Sequence, residues 1–298
     1  MASTRRLTYG KIPTSRSVVK WRVGYPRRHM LFNTPEAVRA LTPLNPFDRM
    51  PDGRPRVPDD LLQRMRLVTN DEAWGVLERR HGYNFQFEGG WHNLHPERVL
   101  VGRAVTAQFV PMRPDLHDVV EQFGRGQGRS GGQNTWIIDT LVEGDVLVVD
   151  LFGKVRDGTF VGDNLSTTIA SRAKTGLVVH GGIRDLVRVS ELDLSVFARG
   201  VHPSAIASVT LVGVNIPIRI GEATVLPGDV VLGTPEGVTF IPPHLAQEIV
   251  ERSEDVRLRD VFGKQRLAEG KYTSGQIDVS TWSAEIEADF AQWRSLSS

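Results

Sequence analysis

The chain has 298 residues, a net charge of +1, 40% hydrophobic and 24% charged residues, and no cysteine. It is long enough to bury a sizeable core, its charge balance argues against a nucleic-acid-binding field over the whole molecule, and no apolar run reaches the length of a membrane span. Without cysteine there is no disulfide, thiol nucleophile or thiolate metal site; any metal must take oxygen or imidazole ligands, and an oxygen-rich set favours Mg2+ or Mn2+.

The first 35 residues carry eight Lys or Arg and no acid. Such a basic arm reads as a transit peptide, as a binder of nucleic acid or another anionic surface, or as an arm lying on its own or a neighbouring subunit. Residues 42–58 hold five prolines and read as an extended connector. Asp59 or Asp60 is placed to cap a short helix carrying Leu61, Leu62 and Met65. Thr69 or Asn70 is placed to cap the next, which His81-Gly82 ends. Residues 83–98 show no clear period and read as an inserted loop. His92 and His95 there are spaced for metal binding, but no third ligand is near. Short strands and helices then alternate, which suggests an α/β fold. Val99 to Val110 reads as strand and Leu116 to Phe123 as helix. The glycine-rich run 124–132 lacks the Walker pattern, so it is either a surface loop or a flap bringing Arg125 and Arg129 to an acidic substrate. Trp136–Leu141 and Val146–Val149 read as strands. Thr210–Ile220 reads as a strand pair, and a helix follows Pro242-Pro243. Residues 261–278 read as irregular. In the last helix Trp282, Ile286, Phe290 and Trp293 form one apolar stripe, to be packed on the core or on a partner subunit.

Chemistry concentrates in GDNLSTTIASRAKTGLVVHGGIRD, residues 162–185. Gly162 and Asp163 open a helix that Gly176 ends, a strand follows, and Arg184 and Asp185 stand side by side after it. Two loops joined by one helix–strand unit thus present three charged groups, the anatomy of a site for a small anion with a carboxylate free to hold a metal. An isolated Arg-Asp pair after a strand is commonly a solvated turn; its context decides. The context is GRAVTAQ (residues 102–108), EGDVLVVD (143–150), VFARGVHPS (196–204) and PGDVVLGTPEGVTFIP (227–242). In order and type these segments resemble the RraA-like family, which includes the 4-hydroxy-4-methyl-2-oxoglutarate/4-carboxy-4-hydroxy-2-oxoadipate aldolases.

The resemblance implies a swivelling β/β/α-type domain over residues 59–255, flanked by the arm and connector (1–58) and a C-terminal helical extension (256–298). It also implies a cytoplasmic homotrimer or homohexamer with active sites between subunits, no nucleic-acid or membrane partner, and a small 2-oxo-acid as substrate. The implied activity is a Mg2+- or Mn2+-dependent carbon–carbon lyase, releasing pyruvate by retro-aldol cleavage through an enolate. Family roles fall on Asp185 as the metal-side carboxylate, and on Arg184, Asp163 and Glu236 as catalytic groups. Gly162, Asn164, Leu165, Arg184 and His180 would bind substrate. His180 stands where Asp or Asn is usual, and is either a substrate contact or a structural histidine at a strand end. Thr234 stands where Asp is usual, with Glu236 close by; in family aldolases a carboxylate comes from the adjoining subunit. Ser195 replaces a usual proline. An oxaloacetate-type decarboxylase passes through the same enolate, and a hydratase or lyase on a sugar-derived 2-oxo-acid is a further alternative. RraA itself inhibits an RNA-degrading endonuclease by protein contact, but members of that type lack the acid after the arginine. A methyltransferase label has no support, since no glycine-rich nucleotide fingerprint follows a first strand.

Overall fold

The computed structural model describes residues 31–297, so the basic arm lies outside the described residues except for its last few positions. Three helices come first: α1 (Pro35–Leu41), α2 (Asp59–Met65) and α3 (Asn70–His81). Thr69 and Glu72 form a reciprocal capping box at the start of α3, and Gly82 closes it in the left-handed conformation (φ 71°). Pro58, not an aspartate, caps α2; Asp59 and Asp60 sit in its first turn.

Two short strands follow, β1 (Phe87–Gly89) and β2 (His92–Asn93), inside the segment expected to be loop. They add to the two ends of a sheet, which a search for periodicity over two or three residues cannot detect. His95 Nδ1 lies 3.1 Å from Glu97 Oε1. Next come β3 (Leu100–Pro111), α4 (Pro114–Gly126), α5 (Gln133–Ile138), β4 (Asp145–Val161), α6 (Asp163–Ala173), β5 (Gly176–Ile183), α7 (Leu186–Val189) and β6 (Ser195–Val201). Then follow β7 (Val209–Val214), β8 (Ile218–Ile220), β9 (Ala223–Val225), β10 (Val230–Thr234) and β11 (Gly237–Ile241), and the chain ends in α8 (Ala246–Ala268), α9 (Ser274–Ile277) and α10 (Ala284–Ser297).

The main sheet has the order β1-β11-β10-β3-β4-β5-β6-β2, with β7 also paired to β3. Strands β3 to β6 run parallel. Alternation along β5 buries Leu177, Val179 and Ile183 in one core, with α5 and α6, and sends Val178 into a second core, with the β8–β9 hairpin. None of the described helices is long and apolar enough to cross a membrane.

Three sequence expectations are corrected. Trp136–Leu141 is not a strand: residues 133–138 are α5. Its short apolar run has no period of its own, and tertiary contacts decide it. Trp136 packs against Gly124, where a Cβ would come within 2.2 Å of the indole. Gln133 accepts a hydrogen bond from Leu211 N–H (2.7 Å), and Asn134 donates to the Phe160 carbonyl (2.8 Å). The glycine-rich run is likewise part helix, since α4 continues to Gly126. Arg129 is not presented to a substrate: it donates to the Trp136 carbonyl (3.0 Å) and lies over the Phe32 ring. Third, residues 261–268 continue α8, because Phe262 is needed in an aromatic cluster with Trp282, Phe290 and Trp293. The C-terminal stripe therefore packs on α8 of its own chain, and α8 runs unbroken through position 255. Arg266 clamps Asp289 with two bonds (2.8 and 2.9 Å), which chiefly holds that carboxyl down to about 2.

The connector is more than a spacer. Arg54, 3% exposed, reaches the fully buried Asp145 at the start of β4, with Nη1 to Oδ1 at 2.7 Å. Asp145 Oδ2 also accepts from Val142 N–H (2.9 Å), closing the turn that Gly144 makes at φ 86°. Arg54→Ala leaves that carboxylate buried without its cation. The expected loss of stability is about 3–5 kcal/mol, read by urea unfolding. A loss below about 1 kcal/mol would show that water replaces the guanidinium without penalty.

Candidate active site

Parallel pairing of β4 and β5 brings the site together. Val161 and Ile183 are register partners, so the loops that follow them leave the sheet side by side. Arg184 N–H donates to the Val161 carbonyl (3.1 Å), tying one loop to the other. Gly162 then turns into α6 with φ −119°, a value open to any residue. Space is what requires glycine here: a Cβ would lie 2.3 Å from Asp185 Oδ2 and 2.9 Å from Arg184 Nε. Asp185 itself holds the left-handed conformation (φ 57°, ψ 39°), unusual for a residue with a side chain, and it caps α7. This backbone turns its carboxylate back toward Gly162. Oδ2 lies 3.4 Å from Arg184 Nε and 3.4 Å from the amide nitrogen of Asp163.

The first turn of α6 faces the same place. Asp163 Oδ1 accepts from Asn164 N–H (2.9 Å), so that donor is occupied rather than free for a ligand; the Leu165 amide remains. Asp163 Oδ2 lies 3.4 Å from Arg188 Nη1. Arg184, Asp163, Asn164 and Leu165 border a cavity of about 250 Å3, with Phe160 and Ile206 as apolar wall. Of the residues expected in the site, Gly162, Asp163, Asn164, Leu165, Arg184 and Asp185 are thus brought together. Arg188 was missed by sequence reading. Its signal is modest: it is a second arginine four residues after Arg184, within α7.

Two expected members lie elsewhere. His180 is on β5, but alternation puts it on the face of Val178, the other side of the sheet. Its Nδ1 lies 3.6 Å from Asp150 Oδ1, its cross-strand partner on β4, and makes no hydrogen bond. Glu236 is exposed in the turn between β10 and β11. There Gly233 pairs with Leu100 at the start of β3, whereas Arg184 follows the end of β5. The two sit at opposite ends of the sheet within one chain. Thr234, the last residue of β10, accepts from Asn70 Nδ2 (2.8 Å) and is structural.

The donor set suits a hard cation with many waters. Among the described residues no three His, Asp or Glu side chains converge as a complete metal cage. Asp185 offers one partly exposed carboxylate, and Mg2+ is held in such sites by one or two carboxylates, with waters and substrate oxygens completing its shell.

The start of α6, a guanidinium and two carboxylates, those of Asp163 and Asp185, thus meet on paired α/β loops. The RraA-like (Aldolase/RraA) family model matches residues 71–240, more than half of the chain, and the protein belongs to that family. Protein DlpA of Legionella pneumophila is 28% identical over 187 residues, covering 61% of this chain but only 28% of DlpA. A protein of Azotobacter vinelandii named "Putative 4-hydroxy-4-methyl-2-oxoglutarate aldolase" is 32% identical over 157 residues, 47% of this chain and 96% of that one. The crystal structure of Streptomyces coelicolor RraAS2, described as an unusual member of the RNase ES inhibitor RraA protein family, superposes with a TM-score of 0.61 at 27% identity. It covers 71% of this chain and 100% of RraAS2.

Gly162→Ala tests the packing of the site. The atoms nearest the new methyl are the ends of two partly exposed side chains, so the fold is expected to persist. Melting within about 4 °C of the native protein is expected, with the Asp185 carboxylate displaced in a crystal structure of the variant. An undisplaced carboxylate would show that the contact exerts no constraint.

Proposed function

We propose that the protein is a divalent-metal-dependent carbon–carbon lyase that cleaves a 4-hydroxy-2-oxo-acid by a retro-aldol reaction and releases pyruvate. The observation that carries this reading is Asp185, whose carboxylate stands next to Arg184 against the glycine that opens α6. The names of the curated relatives support a lyase of this kind.

Arg184 presents a planar fork of donors to the substrate's carboxylate and 2-oxo oxygen. The Leu165 amide, at the positive end of α6, favours the same anion. Asp185 would hold Mg2+ or Mn2+, which when bound supplies Lewis-acid stabilisation of charge developing on the 2-oxo oxygen. A base takes the 4-hydroxyl proton, the C3–C4 bond breaks, its electron pair forms the pyruvate enolate, and a proton returned to C3 completes pyruvate. Asp163, whose Oδ1 accepts from Asn164 N–H, would hold or move one of these protons. Glu236 becomes the second only if it comes from another copy of the chain, as expected for a trimer or hexamer. Phe160 and Ile206 limit water on the apolar side. Decarboxylation of oxaloacetate would use the same groups, with CO2 leaving in place of a carbonyl compound.

A second reading, a non-enzymatic regulator of RNA degradation, has the likeness to RraAS2 in its favour. Pyruvate release over a panel of 2-oxo-acids separates the two. With Mg2+ or Mn2+ present, turnover of at least one substrate is expected, and excess chelator should abolish it. Asp185→Ala should remove turnover without unfolding the protein. Arg184→Lys should lower kcat as well as raise KM, with kcat/KM falling about a hundredfold, because an ammonium does not reproduce the fork. Undiminished activity in chelator, or in Asp185→Ala, would overturn the lyase mechanism.

A further inference from the structure

The turn that opens β4 has a twin. Gly144-Asp145-Val146 recurs as Gly228-Asp229-Val230 at the start of β10. Both glycines take the left-handed conformation, at φ 86° and 87°. Both aspartates close the turn in the same way: Asp145 Oδ2 accepts from Val142 N–H at 2.9 Å, and Asp229 Oδ2 accepts from Leu226 N–H at 2.8 Å. The environments then diverge. Asp145 also receives the guanidinium of Arg54. Asp229, only 2% exposed, receives nothing more from any described residue, and its Oδ1 is left without a partner.

That carboxyl borders a cavity of about 320 Å3 between the segment after α1 and the end of β11, separate from the cavity at Arg184. Leu41, Leu44, Leu226 and Pro243 supply apolar walls, and Tyr83 supplies an aromatic one. Among the described residues no Lys or Arg lines it. His244 is the one basic group there, and burial, with help from His81, lowers its pKa. Gln86 donates its amide hydrogens to the carbonyls of Thr224 (3.2 Å) and Phe240 (2.9 Å), leaving its Oε1 as a second acceptor without a partner. Burial pushes the Asp229 carboxyl up to about 8. A buried acid without a cation is costly in its charged form, and an incoming cation removes that cost.

We propose that this cavity is a binding site for a small organic cation, an amidinium or guanidinium carried on a flat apolar body. Asp229 takes the cation as Asp145 takes Arg54, and Gln86 Oε1 accepts a further N–H. The apolar walls take the body of the ligand, in a volume typical of small-molecule sites. The site is independent of the lyase reading and shares no residue with it.

Benzamidine is the probe, and benzamide its neutral analogue of similar shape, both titrated calorimetrically into the full-length protein. Benzamidine is expected to bind one per chain with Kd below about 1 mM, and benzamide about tenfold more weakly or worse. Asp229→Asn keeps an acceptor for Leu226 N–H and should weaken benzamidine about tenfold. Leu44→Arg, at a position 64% exposed on the rim, places a like charge at the mouth and should weaken it also, without risk to the fold. Asp185→Ala should leave the affinity unchanged. Equal binding of benzamide, undiminished affinity in Asp229→Asn or Leu44→Arg, or no binding by the native protein would each overturn the proposal. Loss of binding in Asp185→Ala would place the cation at the other cavity and overturn it likewise.

Discussion

The candidate active site depends on one close approach: the Asp185 carboxylate against the bare α-carbon of Gly162. Parallel pairing of β4 and β5 sets the two loops beside each other, and the left-handed backbone of Asp185 turns its side chain inward. The other parts of the site are set by the same pairing of the two strands. Arg184 is anchored through its own amide to β4, and Asp163 begins a helix whose first residue follows the glycine. A Cβ at position 162 would require the carboxylate and guanidinium to separate from the helix start. The arrangement is therefore a property of backbone register and absent bulk more than of attraction, since the polar distances across it are long, at 3.4 Å.

The two Gly-Asp-Val turns show how one local device serves two ends. In both, a left-handed glycine makes the turn and an aspartate closes it on a backbone amide. At β4 the leftover acceptor capacity is taken by Arg54, which pins the proline-rich connector to the sheet. At β10 it faces a cavity. The same turn is paired with a cation at β4 and, among the described residues, with none at β10.

Much of this was legible in the sequence where local rules decide. Thr69 as a candidate cap of α3, Gly82 at its end, and the helix-then-strand order of residues 162–185 needed only neighbours in the chain, although Lys174, not Gly176, takes the left-handed position that ends α6, and Gly176 opens β5. What was not legible depended on distant partners. Trp136 lies in a helix because Gly124 makes room for its ring, and Phe262 extends α8 because α10 returns to cover it. His180 shows the cost of a period of two: it lies three residues before Ile183, which puts it on the other face of the sheet, beside Asp150. Glu236 matched the family by type and order, yet sheet topology sets it at the far end from Arg184. Arg54 sat among prolines with no pattern to mark it, and its partner is 91 residues away.

The central claim is that the Gly162–Arg184–Asp185 corner is a joint site for a divalent cation and a 2-oxo-acid. The most direct measurement is Mn2+ binding followed by electron paramagnetic resonance, with and without oxalate, a stable planar mimic of the pyruvate enolate. The account predicts one Mn2+ per chain, with binding tightened about tenfold or more by oxalate, because the two ligands would share the corner. Mn2+ binding indifferent to oxalate, or no binding at all, would contradict it.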